Sequence, residues 1–284
     1  MLVINDTQSD LERLIAADFG ISSARHFQTD FINWLHFRAR RVPRVPRRVL
    51  ISREIQHHLI QHSAIEKICL ALETGGDVDP WLSKKTLKNK GNCRTDMMFN
   101  DWQIQHFHLS SVFQSPTVIR RTKLLLFVHI TGEEATILDV QPHGSWTMVA
   151  LLENLLRTNP TALERYEARG ITPNCRSDAE YKKFRDSGYN VALEVGGRTF
   201  LVGGGRAASG HAWRLLCYRT VFLKTIQKFQ KDFRSDQIEP HLKPAIYSRL
   251  GIPVRLGADY RDSGMAIIDK NRPGLALYEM KPLE

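Results

Sequence analysis

Four histidines and a pair of arginines crowd into one stretch of this 284-residue chain. His106 and His108 stand two apart in DWQIQHFHLS. Arg120 and Arg121 open VIRRTKLLLFVHI, which carries His129 near its end, and His143 follows ATILDV in QPHGSW. Imidazole titrates near neutral pH and can take or give a proton. A guanidinium can bond two oxygens of a phosphate at once. Together these groups meet the needs of metal-free RNA cleavage: a base for the 2′-hydroxyl, an acid for the leaving 5′-oxygen, and cations for the charge growing on phosphorus. His106, His108 and His143 are therefore the candidates for proton transfer, and Arg120 and Arg121 the candidates for holding phosphate. The same His-x-His pair, joined by His129, His143 or Asp139, also has the ligand types of a transition-metal site. A third use is structural, as histidines hydrogen-bonded at a strand surface.

Three strand-like runs position these groups. In the first, Trp102, Ile104, His106 and His108 alternate with Gln103, Gln105, Phe107 and Leu109, so the two histidines share a face. In the second, Leu124, Leu126 and Val128 oppose Leu125, Phe127 and His129, and apolar residues on both sides predict a central strand. The third is ATILDV, after a GEE turn. Ser145 then stands where it can cap a helix, WTMVALLENLLRTN, closed by Pro160 and amphipathic through Met148, Leu151, Leu152, Leu155 and Leu156. That helix should lie across the antiparallel meander.

Residues 1–95 read as a helical basic region. Gly20 stops a first helix. Phe27, Phe31, Trp34, Leu35 and Phe37 recur at helical spacing in a second, a pattern of core packing. RARRVPRVPRR follows, in which Pro43 and Pro46 break the helix. Arg38, Arg40, Arg41, Arg44, Arg47 and Arg48 make this either an extended arm for tracking phosphates or a solvated linker. Ser52 opens a third helix that Gly75 and Gly76 end. His58 and His62 on it have metal-capable spacing, but Leu59 stands where a zinc-protease pattern needs an acid, so a solvated face is expected. Lys84, Lys85 and Lys88 lead a second basic patch.

Residues 96–160 are the meander with its helix, and 161–284 a further α+β unit. In that unit Ser177 caps a helix ended by Gly188, NVALEVGGRTFLV is a hairpin about Gly196 and Gly197, a long helix spans about His211 to Phe233, and MAIIDK with LALYEM is a second hairpin. Between them, GGGRAASGH sets Gly203, Gly204, Gly205 and Arg206 before a helix. That is a glycine turn by default and an anion cradle as the alternative, without the GKS or GxGxxG of a nucleotide loop. The expected fold class is α+β: a helical N-terminal region, a central antiparallel meander with a packed helix, and a C-terminal α+β unit.

A net charge of +10 and a pI near 9.6 favour a polyanionic partner, nucleic acid before membrane. The four cysteines form no CxxC pair, which argues against a zinc knuckle or a disulfide framework. MLVINDTQSDLERL lacks the basic start and apolar run of a signal peptide, and no long apolar window follows, so a cytoplasmic protein is expected. No cofactor motif is present.

HFHL (His106–Leu109), IRRTKLLLFVHI (Ile119–Ile130) and ILDVQPHGSW (Ile137–Trp146), in a basic chain led by helices, resemble the RelE-type ribonuclease toxins and, more broadly, the barnase/RelE-like endoribonucleases. The resemblance covers the central meander only. It implies metal-independent cleavage of RNA on the open face of the sheet, a toxin or phage-defence role, and room for an antitoxin or inhibitory protein partner. RNA is favoured over DNA. The rival readings are a non-catalytic nucleic-acid-binding or assembly protein and a metal-dependent phosphodiester hydrolase using the same histidines.

Overall fold

The fold is taken from a computed structural model, which describes residues 2–21, 26–83, 86, 96–145, 147–202, 205–235, 237–238, 252–261, 264–272 and 274–281. The chain packs as two units. One joins residues 1–39 to 215–284, and the other is residues 40–214. The three consecutive segments expected, 1–95, 96–160 and 161–284, are therefore not the packing units. Strand pairing between the two ends of the chain overrides order along it.

The first unit begins with β1 (Val3–Asn5), α1 (Thr7–Phe19) and α2 (Phe27–Ala39). Gly20 ends α1 in the left-handed conformation, as its position predicts. Phe31, Trp34, Leu35 and Phe37 are buried, so the aromatic stripe is core.

The second unit holds β2 (Arg48–Ile51), α3 (Gln56–Gln61), α4 (Ser63–Thr74), α5 (Met97–Trp102), β3 (Ile104–His108), β4 (Phe113–Ser115), β5 (Val118–Ile119), β6 (Leu124–Ile130) and β7 (Glu134–Pro142). It continues with α6 (Val149–Thr158), α7 (Thr161–Glu164), α8 (Asp178–Asp186), β8 (Ala192–Val195) and β9 (Arg198–Leu201). Then α9 (Trp213–Arg234) returns the chain to the first unit, where β10 (Val254–Arg261), β11 (Gly264–Asp269) and β12 (Ala276–Glu279) form a sheet in the order β1-β10-β11-β12. Both units mix helices with strands, so the fold class is α+β.

The sheet that carries the histidines has the order β2-β7-β6-β3. The expected meander is there, with β6 antiparallel to both β3 and β7. A fourth strand, β2, comes from the end of the arginine segment and runs parallel to β7. Strand periodicity divides β6 between two cores. Leu126 and Val128 join Ile65, Ile68 and Leu72 of α4, while Leu125 and Phe127 join Leu151, Leu152 and Leu155 of α6. Both faces of this sheet are thus covered. An open catalytic face, as the toxin resemblance implies, is absent among the described residues, and accessible chemistry is left to the ends of the strands.

The arginine segment is a strap rather than a free arm. Arg38 lies within α2 and pairs with Asp18 at 2.6 Å. Arg40 reaches Asp96 at 2.6 Å, Arg44 reaches Asp77 at 2.5 Å, and Arg41 and Arg48 pair with Asp79 and Glu134. Arg47 is buried and donates to the carbonyls of Thr131, Pro43 and Val45 at 2.7–2.9 Å. A guanidinium spent on three backbone acceptors cannot also track phosphates. The second basic patch, with Lys84, Lys85 and Lys88, lies outside the described residues.

Gly75 fastens the strap to α4. Its φ of +74° suits glycine, and a Cβ there would stand 2.9 Å from the Pro46 nitrogen. Gly20 has φ +63° with nothing near. Gly75→Ala is therefore expected to cost about 1–3 kcal/mol, and Gly20→Ala only about 1 kcal/mol. Thermal unfolding of the two variants side by side measures the difference.

Candidate functional site

The local signals that build the site are short. Asp96 caps α5 by accepting the Phe99 amide at 3.2 Å. Gln103 ends the helix in the left-handed conformation, with φ 58°, and β3 starts at once. His106 and His108 then project to the same side, opposite Phe127 and Leu125 of β6. His143 leaves the end of β7, and its amide donates to the Lys123 carbonyl at 3.1 Å. The end of β3, the start of β6 and the end of β7 meet here, and the meander brings residues 106, 108, 121 and 143 into one cluster.

Its geometry gives each member a different character. His143 is exposed. Its Nε2 lies 3.4 Å from an Nη of Arg121, and its ring is centred 5.7 Å from that of His108. Arg121, Thr122, Lys123, Pro142 and His143 line an open depression of about 570 Å³. Arg121 and Lys123 are exposed, and neither pairs with an acid among the described residues. Arg120 is exposed too but does not line the depression. Its amide is tied to Val112 O at 2.8 Å.

His108 is 1% exposed and locked by Thr122. The Thr122 amide meets His108 Nδ1 at 3.2 Å, and the Thr122 hydroxyl accepts from the Leu109 amide while donating to Leu124 O. An amide nitrogen only donates, so Nδ1 accepts and the ring proton sits on Nε2. Nε2 is buried, with no hydrogen-bond partner among the described residues. Burial, then the neighbouring His106, His143 and Arg121, lower the His108 pKa to about 4. Neutral His108 thus carries its ring proton on the buried Nε2.

His106 is 8% exposed, and its Nδ1 lies 3.6 Å from Oδ2 of Asp96, the carboxylate that also binds Arg40. Burial lowers its pKa; Asp96 opposes that shift, while Arg40, His143 and Arg121 add to it. The pKa of His143 is lowered by partial burial and then by Arg121.

The cluster leaves out His129, which pairs with Ile104 at the other end of β3. Burial, with Arg165 nearby, lowers its pKa to about 4. His57, His58 and His62 are elsewhere again. His58 Nε2 is 3.9 Å from Asp139, and the single helix expected there breaks at His62 into α3 and α4. Among the described residues no three His, Cys, Asp or Glu side chains converge as a metal ion requires.

The described part of the glycine loop is a packed turn, the default reading of its sequence. The amides of Arg206, Ala207, Gly210 and Trp213 are bonded within the protein, and Arg206 donates to the Arg185 carbonyl at 2.6 Å. A Cβ on Gly205 would stand 2.1 Å from Asn190 Oδ1, so Gly205 serves close packing. Gly203 and Gly204 lie outside the described residues. Ser145 does not cap α6. Its hydroxyl turns back to Pro142 O, and Asp178 caps the helix from a distance by accepting the Val149 amide at 2.7 Å.

No protein-family model, curated protein or solved structure matches this chain. The likeness to RelE-type toxins rests on the quoted motifs alone. Sequence reasoning missed Asp96, Thr122 and Lys123. Asp96 was visible as a helix cap, whereas its hold on His106 depends on strand pairing. Among the described residues no helix is long and apolar enough to cross a membrane.

The depressed pKa values of His108 and His129 contribute to the acid response of the fold. A group whose pKa falls on folding adds stability that is complete above its ordinary value of about 6.5 and drains away as pH drops toward its folded value. For His108 and His129 that value is about 4. Denaturant midpoints are expected to fall steadily across that window. In His108→Asn the amide oxygen can still accept from Thr122 but does not titrate, so the fall should be shallower. An unchanged slope would show that His108 is not held neutral.

Proposed function

We propose that this protein is a nucleic-acid-directed enzyme that cleaves RNA phosphodiester bonds without a metal ion. The observation that carries the reading is the meeting of three histidines with Arg121 beside an open depression whose cations have no acidic partner among the described residues. Arg121 and Lys123 attract the phosphate. His143, the most accessible imidazole of the three, takes the proton of the 2′-hydroxyl as the 2′-oxygen bonds to phosphorus. Arg121 faces the charge that grows on the phosphate oxygens, and the buried Nε2–H of His108 adds its dipole from behind. His106 gives a proton to the departing 5′-oxygen, leaving a 2′,3′-cyclic phosphate and a 5′-hydroxyl.

His106 is the acid because Asp96 stands next to its ring and stabilises an imidazolium. Burial, with Arg40, His143 and Arg121 nearby, lowers its pKa against the pull of Asp96. A bound phosphate brings the negative charge that reverses this balance, so substrate binding and proton loading are coupled.

The test is incubation of purified protein with mixed single-stranded RNA, with and without EDTA. Cleavage that survives EDTA supports the reading. Cleavage abolished by EDTA transfers these residues to a metal-dependent hydrolase. Retention without cleavage leaves a binding protein, a reading favoured by the low exposure of His106 and His108.

A further inference from the structure

Beside the cluster the β4–β5 hairpin is built asymmetrically. Its inner strand is anchored, with Val118 and Ile119 5% and 1% exposed. All three residues of its outer strand are exposed. Phe113 keeps 54% of its surface in water and Val112 keeps 57%. Burial of that apolar surface is favourable, and about half of it remains for a partner to cover. Tyr189, Trp213 and Tyr278 are exposed as well. Phe113 differs in its neighbours. It pairs in register with Ile119, and the next two residues are Arg120 and Arg121. The Arg120 amide bonds the carbonyl of Val112, so Phe113 and the arginines belong to one hydrogen-bonded hairpin. From Ile119 to Arg121 is about 7 Å of extended chain, a span one nucleotide covers.

We infer that Phe113 is a stacking platform for an unpaired base, and that the depression beside it takes single-stranded RNA rather than duplex. This rests on reading the cluster as an RNA site and adds its substrate form. An exposed ring beside cations is the recurrent arrangement for single strands, because every base offers a flat face to stack and every linkage a phosphate. In a duplex the base faces are buried in the stack, and the ring has nothing to meet. The cations Arg120, Arg121 and Lys123 complement the charge of the backbone and disfavour an apolar protein partner.

The experiment is binding of a short fluorescent 2′-O-methyl oligonucleotide, which lacks the attacking hydroxyl and stays intact. It is offered single-stranded and annealed to its complement, with polyphosphate as a purely ionic probe. The full-length parent is expected to prefer the single strand. Phe113→Ala should weaken that binding about tenfold, the order of one lost base–aromatic stack, and leave duplex and polyphosphate binding unchanged. Phe113→Trp should keep the parent's affinity. The inference is overturned if Phe113→Ala binds the single strand as the parent does, if alanine and tryptophan weaken it alike, or if the parent prefers duplex or binds neither form. Uncut ordinary RNA together with an intact Phe113 effect would remove only the cleavage reading. Cleavage without a Phe113 effect would remove only this one.

Discussion

Arg185→Met is expected to remove about 3–5 kcal/mol of stability, as breaking a buried ion pair does. Arg185 and Asp101 both have fully buried side chains, joined at 2.5 Å and 2.8 Å. The pair is tied into its surroundings on every side. Arg185 donates to Tyr189 O and to Asn190 Oδ1, each at 2.8 Å, while Asp101 accepts from the Tyr181 hydroxyl at 2.9 Å, which itself accepts from the Trp102 indole at 2.8 Å. Removing the guanidinium strands a carboxylate where no water can reach it. Asp101→Leu strands the cation in the same way. The double variant Asp101→Leu/Arg185→Met removes both charges and should recover part of the loss, but not all, because the Tyr181 hydroxyl and the Tyr189 carbonyl lose partners. Calorimetry on the three variants separates the cases. A double variant no better than the worse single one would mean that the network's hydrogen bonds, rather than its charge balance, hold the core.

His143→Ala and Arg121→Ala are expected to abolish most RNA cleavage while leaving the fold intact. Both side chains are exposed, so neither substitution opens a cavity. Loss of a general base costs about 10²–10⁴-fold in rate, and loss of one donor to a developing oxyanion costs about 10²–10³-fold. Arg121→Lys keeps the charge but not the two-pronged bond, and should restore part of the rate. His108→Asn should reduce turnover less than His143→Ala, because the buried His108 ring supplies a fixed dipole and not a proton. Single-turnover cleavage of a defined RNA, alongside melting temperatures, gives both readouts. A fully active His143→Ala would remove the mechanism proposed for this cluster. Equal losses at His108 and His143 would remove the distinction drawn between their roles.

Several elements were legible without a structure because their signals are local. Gly20 and Gly75 sit where a helix needs a left-handed residue. The Ser177 hydroxyl accepts the Glu180 amide at 3.3 Å and caps α8 as predicted. The glycine pair 196–197 turns the β8–β9 hairpin, and the doubly apolar LLLFV lies inside its sheet. The spacing of His106 and His108 put them on one face by the strand period alone. By contrast, the arginine segment gave no local sign of its partners. Asp18, Asp77, Asp79, Asp96 and Glu134 are scattered along the sequence, and nothing in their neighbours marks them as acceptors. The segment therefore reads as a phosphate-binding arm until the fold supplies its acids.

By itself, the sequence determined which residues could do chemistry here, the alternation that aims them, and the α+β class, because residue type, period and turn chemistry act over a few positions. Tertiary structure alone decided that β1 pairs with β10 across nearly the whole chain, that Asp101 is neutralised in the core by Arg185, and that Thr122 bonds the His108 ring while Asp96 stands beside that of His106. These last are contacts between residues far apart in sequence. The free energy that selects them comes from burial and from pairing buried polar groups, and it exists only once the chain has closed on itself.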